Sequence, residues 1–392
     1  MPAAPLLRPT PSWTPSERLV LRELRTRPEA TATATDLAEA LDLAPATVRS
    51  ALATAVKRGF VRALPPDPAR FGRPAPRFAY HASGFAFVGV NVDDTETTIR
   101  VAGLDGRQVG AWRIPADGRP WTIDAAAAMI SKAVGRALPE STIAAIAFAV
   151  PAWVERDGTM RASPVMPELA GVPLAELLQS RFGCPVFVEN DVQMAAVGEH
   201  YLGAAAKTKN FVYLWAGQRP NSAAFVDGRL HRGTTGVAGA VVVHQILWRA
   251  PWPARPDSVQ IADAAGGGDA LPLVQAYVDQ ITLFLAPLTL AIDPELIVLA
   301  GHVAEDAAVL APLFEAAVHR EGQIVHPPVV PDVLGPDARV IGALSVAVEL
   351  GERRLTGLGR RRGENVEGPA VNRPGLPVAS DPEIPGGELL NP

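Results

Sequence analysis

The stretch VFVENDVQMAAVGEHYLGA, residues 186–204, reads as a short strand that runs straight into a helix. Val186 to Val188 are strand-like, and beyond Asp191 the apolar residues Met194 and Val197 return at helical spacing. Glu189, Asn190 and Asp191 therefore fall at the strand end, with their polar atoms toward a cleft. A carboxylate beside a carboxamide suits adjacent hydroxyl groups, because one only accepts hydrogen bonds and the other accepts and donates. The same triplet also suits a capped turn in which Asp191 starts the helix, and a capping Asp keeps lone pairs free.

Working outward, the chain before this unit holds three short runs, FAFVGVNV, TTIRVAGL and QVGAWRI, separated by polar turns. A helical stretch (123–138) and the buried-looking strand IAAIAFAV follow. The order repeats more loosely downstream as FVYLWAG, SAAFVDG and VAGAVVVH, a helix around 271–292, then the strand ELIVLAG. Two mixed α/β lobes of like order are expected.

The N-terminal part has a different texture. A helix is expected after Thr14-Pro15-Ser16, with Leu19, Leu21 and Leu24 on one side. A second starts near Asp36, with Asp36 and Glu39 at capping-box spacing. Pro45 opens a third, which carries Val48, Leu52 and Val56 and stops at Gly59. Two strand-like pieces, 60–64 and 77–81, flank the loop PPDPARFGRPAP. Leu37, Leu41, Val48, Leu52 and Val56 are expected to bury together, so that Thr47, Arg49 and Ser50 project outward from the third helix. Arg49 suits guanine edges or phosphates, Thr47 and Ser50 suit phosphate or mixed contacts, and Arg70, Arg73 and Arg77 suit a wing against the DNA backbone. The plainer alternative is a three-helix bundle with solvated arginines. Charge favours the DNA reading: residues 1–80 carry 12 Lys and Arg against 7 Asp and Glu, while the whole chain has a formal net charge of −5.

At 392 residues the chain exceeds one compact domain and fits two or three. Its 48% hydrophobic and 20% charged residues argue against disorder through most of its length. The apolar runs 143–150 and 281–290 fall short of the roughly 18 residues of a membrane span, and Pro287 interrupts the second. The opening MPAAPLLRPTPSW lacks the charged-then-apolar order of a secretion signal. The lone Cys184 excludes a disulfide framework and a cysteine-rich zinc site. A cytoplasmic protein is expected.

A helix–turn–helix, a Gly72-Arg73-Pro74-Ala75 wing and a duplicated α/β body together resemble the ROK family, which joins repressors and sugar kinases. The resemblance covers about residues 16–355 and is carried best by the wing, 186–204, DGRLHRGTTGVAGA (227–240) and DPELIVLAG (293–301). It implies a two-lobed actin/hexokinase-like (ribonuclease H-like) body, a hexose-like ligand between the lobes, and dimers or tetramers. It also implies that the Asp equivalent to Asp191 acts as base on the sugar hydroxyl in the kinases.

The phosphate loops depart from that pattern. The first reads Asn91-Val92-Asp93-Asp94-Thr95, with an amide for the metal-side carboxylate and two carboxylates for glycines. Such carboxylates repel a nucleotide's phosphates unless a cation such as Mg²⁺ intervenes. The second reads Ala216-Gly217-Gln218-Arg219-Pro220, and the adenosine-side turn keeps only Gly301. The Glu-x-Gly-His sugar motif is reduced to His244, which is either a sugar contact or a hydrogen-bonded core residue, and the Ser-Pro-Asn loop reads Ser163-Pro164-Val165. No cysteine follows Cys184, so the family's zinc has no ligands here.

The expected organisation is a loose N-terminus (1–13), a winged helix–turn–helix (14–82), a ROK-like body (84–355) and a disordered tail (363–392). The expected function is an operator-binding regulator, most simply a repressor, with a sugar or sugar-phosphate effector at Asn190, Asp191 and His244. No catalytic residue, cofactor or metal is expected, and the chain should form a homodimer or homotetramer without contacting a membrane. The rival readings are an active sugar kinase with a DNA-binding head, and a regulator whose body only oligomerises.

Overall fold

The computed structural model describes residues 13–27, 31–65, 75–116, 121–163, 165–217, 220–239, 255–301, 306–322, 324 and 326–356. The tail from residue 363 and most of the wing loop lie outside these residues.

The head begins with α1 (Pro15–Thr26), where Thr14 and Glu17 cap each other reciprocally. β1 (Thr31–Thr33) leads into α2 (Ala34–Leu41), and α3 (Pro45–Lys57) follows. β2 (Val61–Leu64) and β3 (Arg77–Tyr80) complete a three-stranded sheet in the order β1-β3-β2. Three sequence expectations need correcting. The capping box of α2 is Thr33 with Asp36, not Asp36 with Glu39, because the Thr33 hydroxyl accepts the Asp36 N–H while Asp36 accepts the Thr33 N–H. Val56 is 38% exposed, and Ala51 and Ala55 take the buried face beside Val48 and Leu52. Leu19 is also exposed, its place in the core taken by Val20.

The first lobe comprises β4 (Phe85–Val92), β5 (Glu96–Ala102), β6 (Gln108–Pro115), α4 (Ile123–Ala137) and β7 (Thr142–Val150). A small hairpin of β8 (Trp153–Val154) and β9 (Met160–Ala162) follows, then α5 (Leu174–Phe182), β10 (Val186–Asn190) and α6 (Asp191–Leu202). The second lobe holds β11 (Phe211–Trp215), β12 (Asn221–Val226), β13 (Arg229–Leu230), α7 (Ser258–Ala265), α8 (Leu271–Ile292), β14 (Leu296–Ala300), α9 (Ala307–Gly322) and β15 (Val329–Pro331). The last described helix, α10 (Ala338–Thr356), returns to the first lobe and lies against α6, β4 and β7.

The two sheets have the same plan. Their orders are β10-β7-β4-β5-β6 and β15-β14-β11-β12-β13, each with three parallel strands and an antiparallel pair at one edge. The third strand of the second lobe among the described residues is Arg229–Leu230; of the stretch VAGAVVVH, 237–239 form no strand and 240–244 lie outside the described residues.

Counted over a whole helix instead of an unbroken apolar run, α8 is long and apolar enough to cross a membrane, with 44% of that window buried. Val274, Tyr277, Val278, Ile281 and Leu285 are wholly enclosed in the second lobe's core. Its apolar composition follows from its place as a core helix.

Head and body share one continuous core. Trp13, expected in a loose N-terminus, is 4% exposed, stands edge-on to Phe60 at 5.0 Å and donates its indole N–H to the Leu355 carbonyl at 2.5 Å. Phe60 in turn meets Phe85 at 4.8 Å, so the junction is a packed interface. Inside the first lobe, α6 and α10 touch backbone to backbone. A Cβ on Gly342 would stand 1.8 Å from the Met194 carbonyl oxygen, so only glycine fits there.

Candidate functional site

On the head, the inward residues of α3 are spent on α1 and α2, and its other side is open. Arg49 and Ser50 are exposed and Thr47 is half-buried, so these three share the first turns of one accessible face. Arg77 lies across the sheet and donates to the Thr31 hydroxyl at 2.9 Å. Arg70 and Arg73 lie outside the described residues.

The cleft assembles where β4, β10 and β11 end. Asn190, and not Asp191, caps α6: its Oδ1 accepts the Val192 and Gln193 N–H groups at 3.0 and 3.2 Å. Its amide donates to the Ala152 carbonyl at 3.0 Å and to Asp191 Oδ1 at 3.1 Å. Asn190 is thereby committed to the turn, whereas Asp191 keeps one oxygen for the cleft. Burial pushes the Asp191 carboxyl above its usual range, opposed by the nearby Arg339 guanidinium. Glu189 is fully buried and paired with Arg232. Burial raises its carboxyl to about 7, with Arg232 pulling the other way.

The segment after Arg232 is sewn to this strand end. Gln193 Nε2 donates to the carbonyls of Gly236 and Ala238 at 3.1 and 3.4 Å. Gly236 has φ +90° and lies so close to the Val154 carbonyl that a Cβ would come within 2.2 Å. A cavity of about 420 Å³ opens beside this contact, lined by residues that include Trp153, Arg156, Arg161 and Thr234. In the Ser163 loop, the hydroxyl is spent locally, accepting from the Val165 and Met166 N–H groups and donating to the Pro151 carbonyl.

On the phosphate side, Asp93 closes its own turn. Its Oδ1 accepts from the Thr95 N–H (2.9 Å), the Thr95 hydroxyl (2.7 Å) and the Glu96 N–H (2.8 Å). These are the donors that a phosphate loop leaves free for its ligand. The other oxygen, Oδ2, faces Arg339 Nη1 at 3.8 Å, while Arg339 Nη2 faces Asp191 Oδ2 at 3.6 Å. The guanidinium also lies over the Trp215 ring at 4.2 Å. A cation of the protein's own thus stands between Asp93 and Asp191, where a phosphate-bound Mg²⁺ would compete with it, while Asp94 beside Asp93 is exposed. Gly301 has φ +100° and abuts the Ala216 backbone, which brings the ends of β11 and β14 together. Gln218, Arg219 and His244 lie outside the described residues, and among the described residues no group of three or more His, Cys, Asp or Glu is placed to hold a metal ion.

Sequence reasoning did not single out Arg232, Trp215 or Arg339. Arg339 lies almost 150 residues from Asp191 in sequence, within an ordinary amphipathic helix, and only the return of α10 to the first lobe brings it to the cleft.

Comparison with known proteins follows the same division. Residues 19–65 match the IclR helix-turn-helix domain and residues 87–246 match the ROK family. The chain is 32% identical over 116 residues to the xylose repressor of Caldicellulosiruptor bescii, a stretch that covers 29% of either protein. The first two curated relatives are matched over 61% and 29% of their own lengths. The fold is similar to that of a ROK family transcriptional regulator, homolog of E. coli MLC protein, with TM-score 0.61 at 17% identity over 88% of this chain and 97% of that one. The ROK hexokinase from Thermus thermophilus aligns with TM-score 0.54 at 25% identity over 66% of this chain and 96% of that one. Both the head and the two-lobed body have counterparts: residues 87–246 are similar to the ROK family and stand behind a helix–turn–helix segment similar to the IclR type.

Proposed function

We propose that this protein is a DNA-binding transcriptional regulator, most simply a cytoplasmic repressor, whose body takes a sugar-class effector and does not phosphorylate it. The observation that carries the reading is a division within one chain. The head leaves Arg49 and Ser50 in solvent on α3, while Asp93 in the body consumes the donors that a transferred phosphate requires. Arg49 reads base edges, with Thr47 and Ser50 on phosphates. Arg70, Arg73 and Arg77 add backbone contacts from the wing.

The effector contacts are Asp191, which still offers an oxygen to the cleft, with Asn190 fixing its orientation and His244 as a further contact. A homodimer or homotetramer sets the spacing of the heads on DNA. Leu283 and Leu290, seven residues apart on the exposed side of α8 and 59% and 46% exposed, suit a contact between copies. The effector acts by its differential affinity for two lobe arrangements.

The test is a thermal-shift panel of pentoses, hexoses and their phosphates on the full chain, followed by operator-release titration with any binder. Xylose heads the panel, because the Caldicellulosiruptor bescii relative is a xylose repressor. A binder that releases DNA supports the reading. DNA binding that no sugar changes leaves a body that only oligomerises.

A further inference from the structure

α10 joins the two functional ends of the molecule. Arg339 sits at its second position, in the cleft, and Glu352 and Leu355 lie in its last turns, against the head. There Glu352 pairs with Arg25 at 2.6 Å and the Leu355 carbonyl accepts the Trp13 indole N–H. At 1.5 Å per residue, Arg339 and Glu352 are about 20 Å apart along one helix. The helix has little room to bend between them. Gly342 meets the Met194 carbonyl on one side, and Leu344 lies against Gly89 of β4, where a Cβ would come within 2.4 Å of its backbone nitrogen.

The two ends are held differently. Asp337, one residue before α10, takes Arg100 and Arg113 at 2.6 Å each, which fixes a pivot on the first lobe. Arg339 beside it faces its carboxylates at 3.6 and 3.8 Å, outside direct hydrogen-bond range, and its Nε is buried with no hydrogen-bond partner among the described residues. Its stacking partner, Trp215, belongs to the other lobe. Among the described residues the guanidinium is therefore held by charge and stacking, between carboxylates of the first lobe and a ring of the second.

We propose that Arg339 is a ligand-sensing residue: a polyhydroxylated molecule that hydrogen-bonds the Asp191 carboxylate detaches the guanidinium, and α10, pivoting at Asp337, carries the tilt to the head through Glu352 and Leu355. A tilt set next to the pivot is largest at the far end of the rod, and shifts of about 1–2 Å are what packed helices allow. The proposal rests on the effector reading above for the nature of the ligand.

Its test needs neither DNA nor effector, so its failure and the failure of that reading are separable. Hydrogen exchange is measured on the full chain for the parent, Arg339→Ala, Arg339→Lys and Asp191→Asn. Releasing the guanidinium should speed exchange of the α1 amides and of residues 350–356 by about threefold or more, with Arg339→Lys in between. Faster exchange confined to residues 91–96, 190–193 and 338–342 would overturn the proposal. Should Arg339→Ala lose its cooperative melt, Arg339→Lys and Asp191→Asn carry the same comparison, and unchanged α1 exchange in both overturns it equally.

Discussion

Arg25 in the first helix sets its guanidinium 2.6 Å from the Glu352 carboxylate in the last, across 327 residues of sequence. The same guanidinium reaches the Asp105 carbonyl at 3.3 Å, so one head residue touches both the first lobe and the end of α10. Both partners of the ion pair keep some solvent contact, at 23% and 18%, and such a pair contributes about 1 kcal/mol or less. Trp13 alongside is nearly enclosed and contributes more.

Removing Trp13 and removing Arg25 should therefore differ in size. Trp13→Ala is expected to cost about 3–5 kcal/mol, the usual range for a buried large aromatic. Arg25→Ala is expected to cost under about 1 kcal/mol. Urea unfolding of the full chain checks both, and a parent-like midpoint for Trp13→Ala would remove the clasp between head and body.

DNA recognition is expected to depend on Arg49. Arg49→Ala should weaken operator binding by about 1–3 kcal/mol and relax discrimination at one base position. Arg73→Ala, in the wing loop, should weaken binding evenly across sequences and flatten the salt slope. Fluorescence anisotropy at two salt concentrations distinguishes them. Parent-like binding by both variants would move the reading surface elsewhere.

Phosphoryl transfer is expected to be absent. A phosphate would meet the Asp93 carboxylate where donors are needed, and a divalent ion would have to displace Arg339. Coupled assays with ATP and common hexoses should show no turnover, and a rate above about 1 s⁻¹ would make the body an ordinary kinase.

The neighbours Asn190 and Asp191 should separate by phenotype. Asn190 caps α6 through two N–H groups, so Asn190→Ala is expected to cost about 0.5–2 kcal/mol of stability. Asp191→Asn keeps the shape and leaves that cap in place, so its melting temperature should stay near the parent's. Its response to a sugar that releases DNA should fall, because a hydroxyl donor loses a charged acceptor worth about 1.5–3 kcal/mol. Equal loss of stability in both variants would return Asp191 to a purely structural role.

The architecture was legible in the sequence because strand runs, helix periods and cap residues are local signals. The paired lobes, the three head helices and the END strand end all followed from them. The cap of α2 was misplaced by three residues because Thr33 and Asp36 are both good caps, and only backbone geometry at Thr33 decides between them. β13, with two residues, carries no periodicity at all. The cleft's charge balance was not legible. Asp93 and Asp191 read as open carboxylates, and the guanidinium that faces both arrives from a helix whose own sequence gives no sign of it.

A pH effect should arise from Asp332, just after β15. Burial and the nearby Glu199 carboxylate raise its carboxyl from 3.8 to about 6, against the Gly335 N–H, which lowers it. The folded state therefore holds this proton more tightly than the unfolded chain. The resulting stabilisation is complete below 3.8 and is lost as pH rises through about 6. Asp332→Asn cannot ionise and still offers an oxygen to the Gly335 N–H. The variant should match or exceed the parent's melting temperature at neutral pH, where the parent carries a poorly solvated charge beside Glu199. It should also show a shallower fall between pH 3.8 and about 6, with Glu199, likewise raised by burial, leaving a residual slope of the same sign. Melting curves across that window for both proteins decide it: an unchanged slope in Asp332→Asn would assign the pH dependence to other carboxylates.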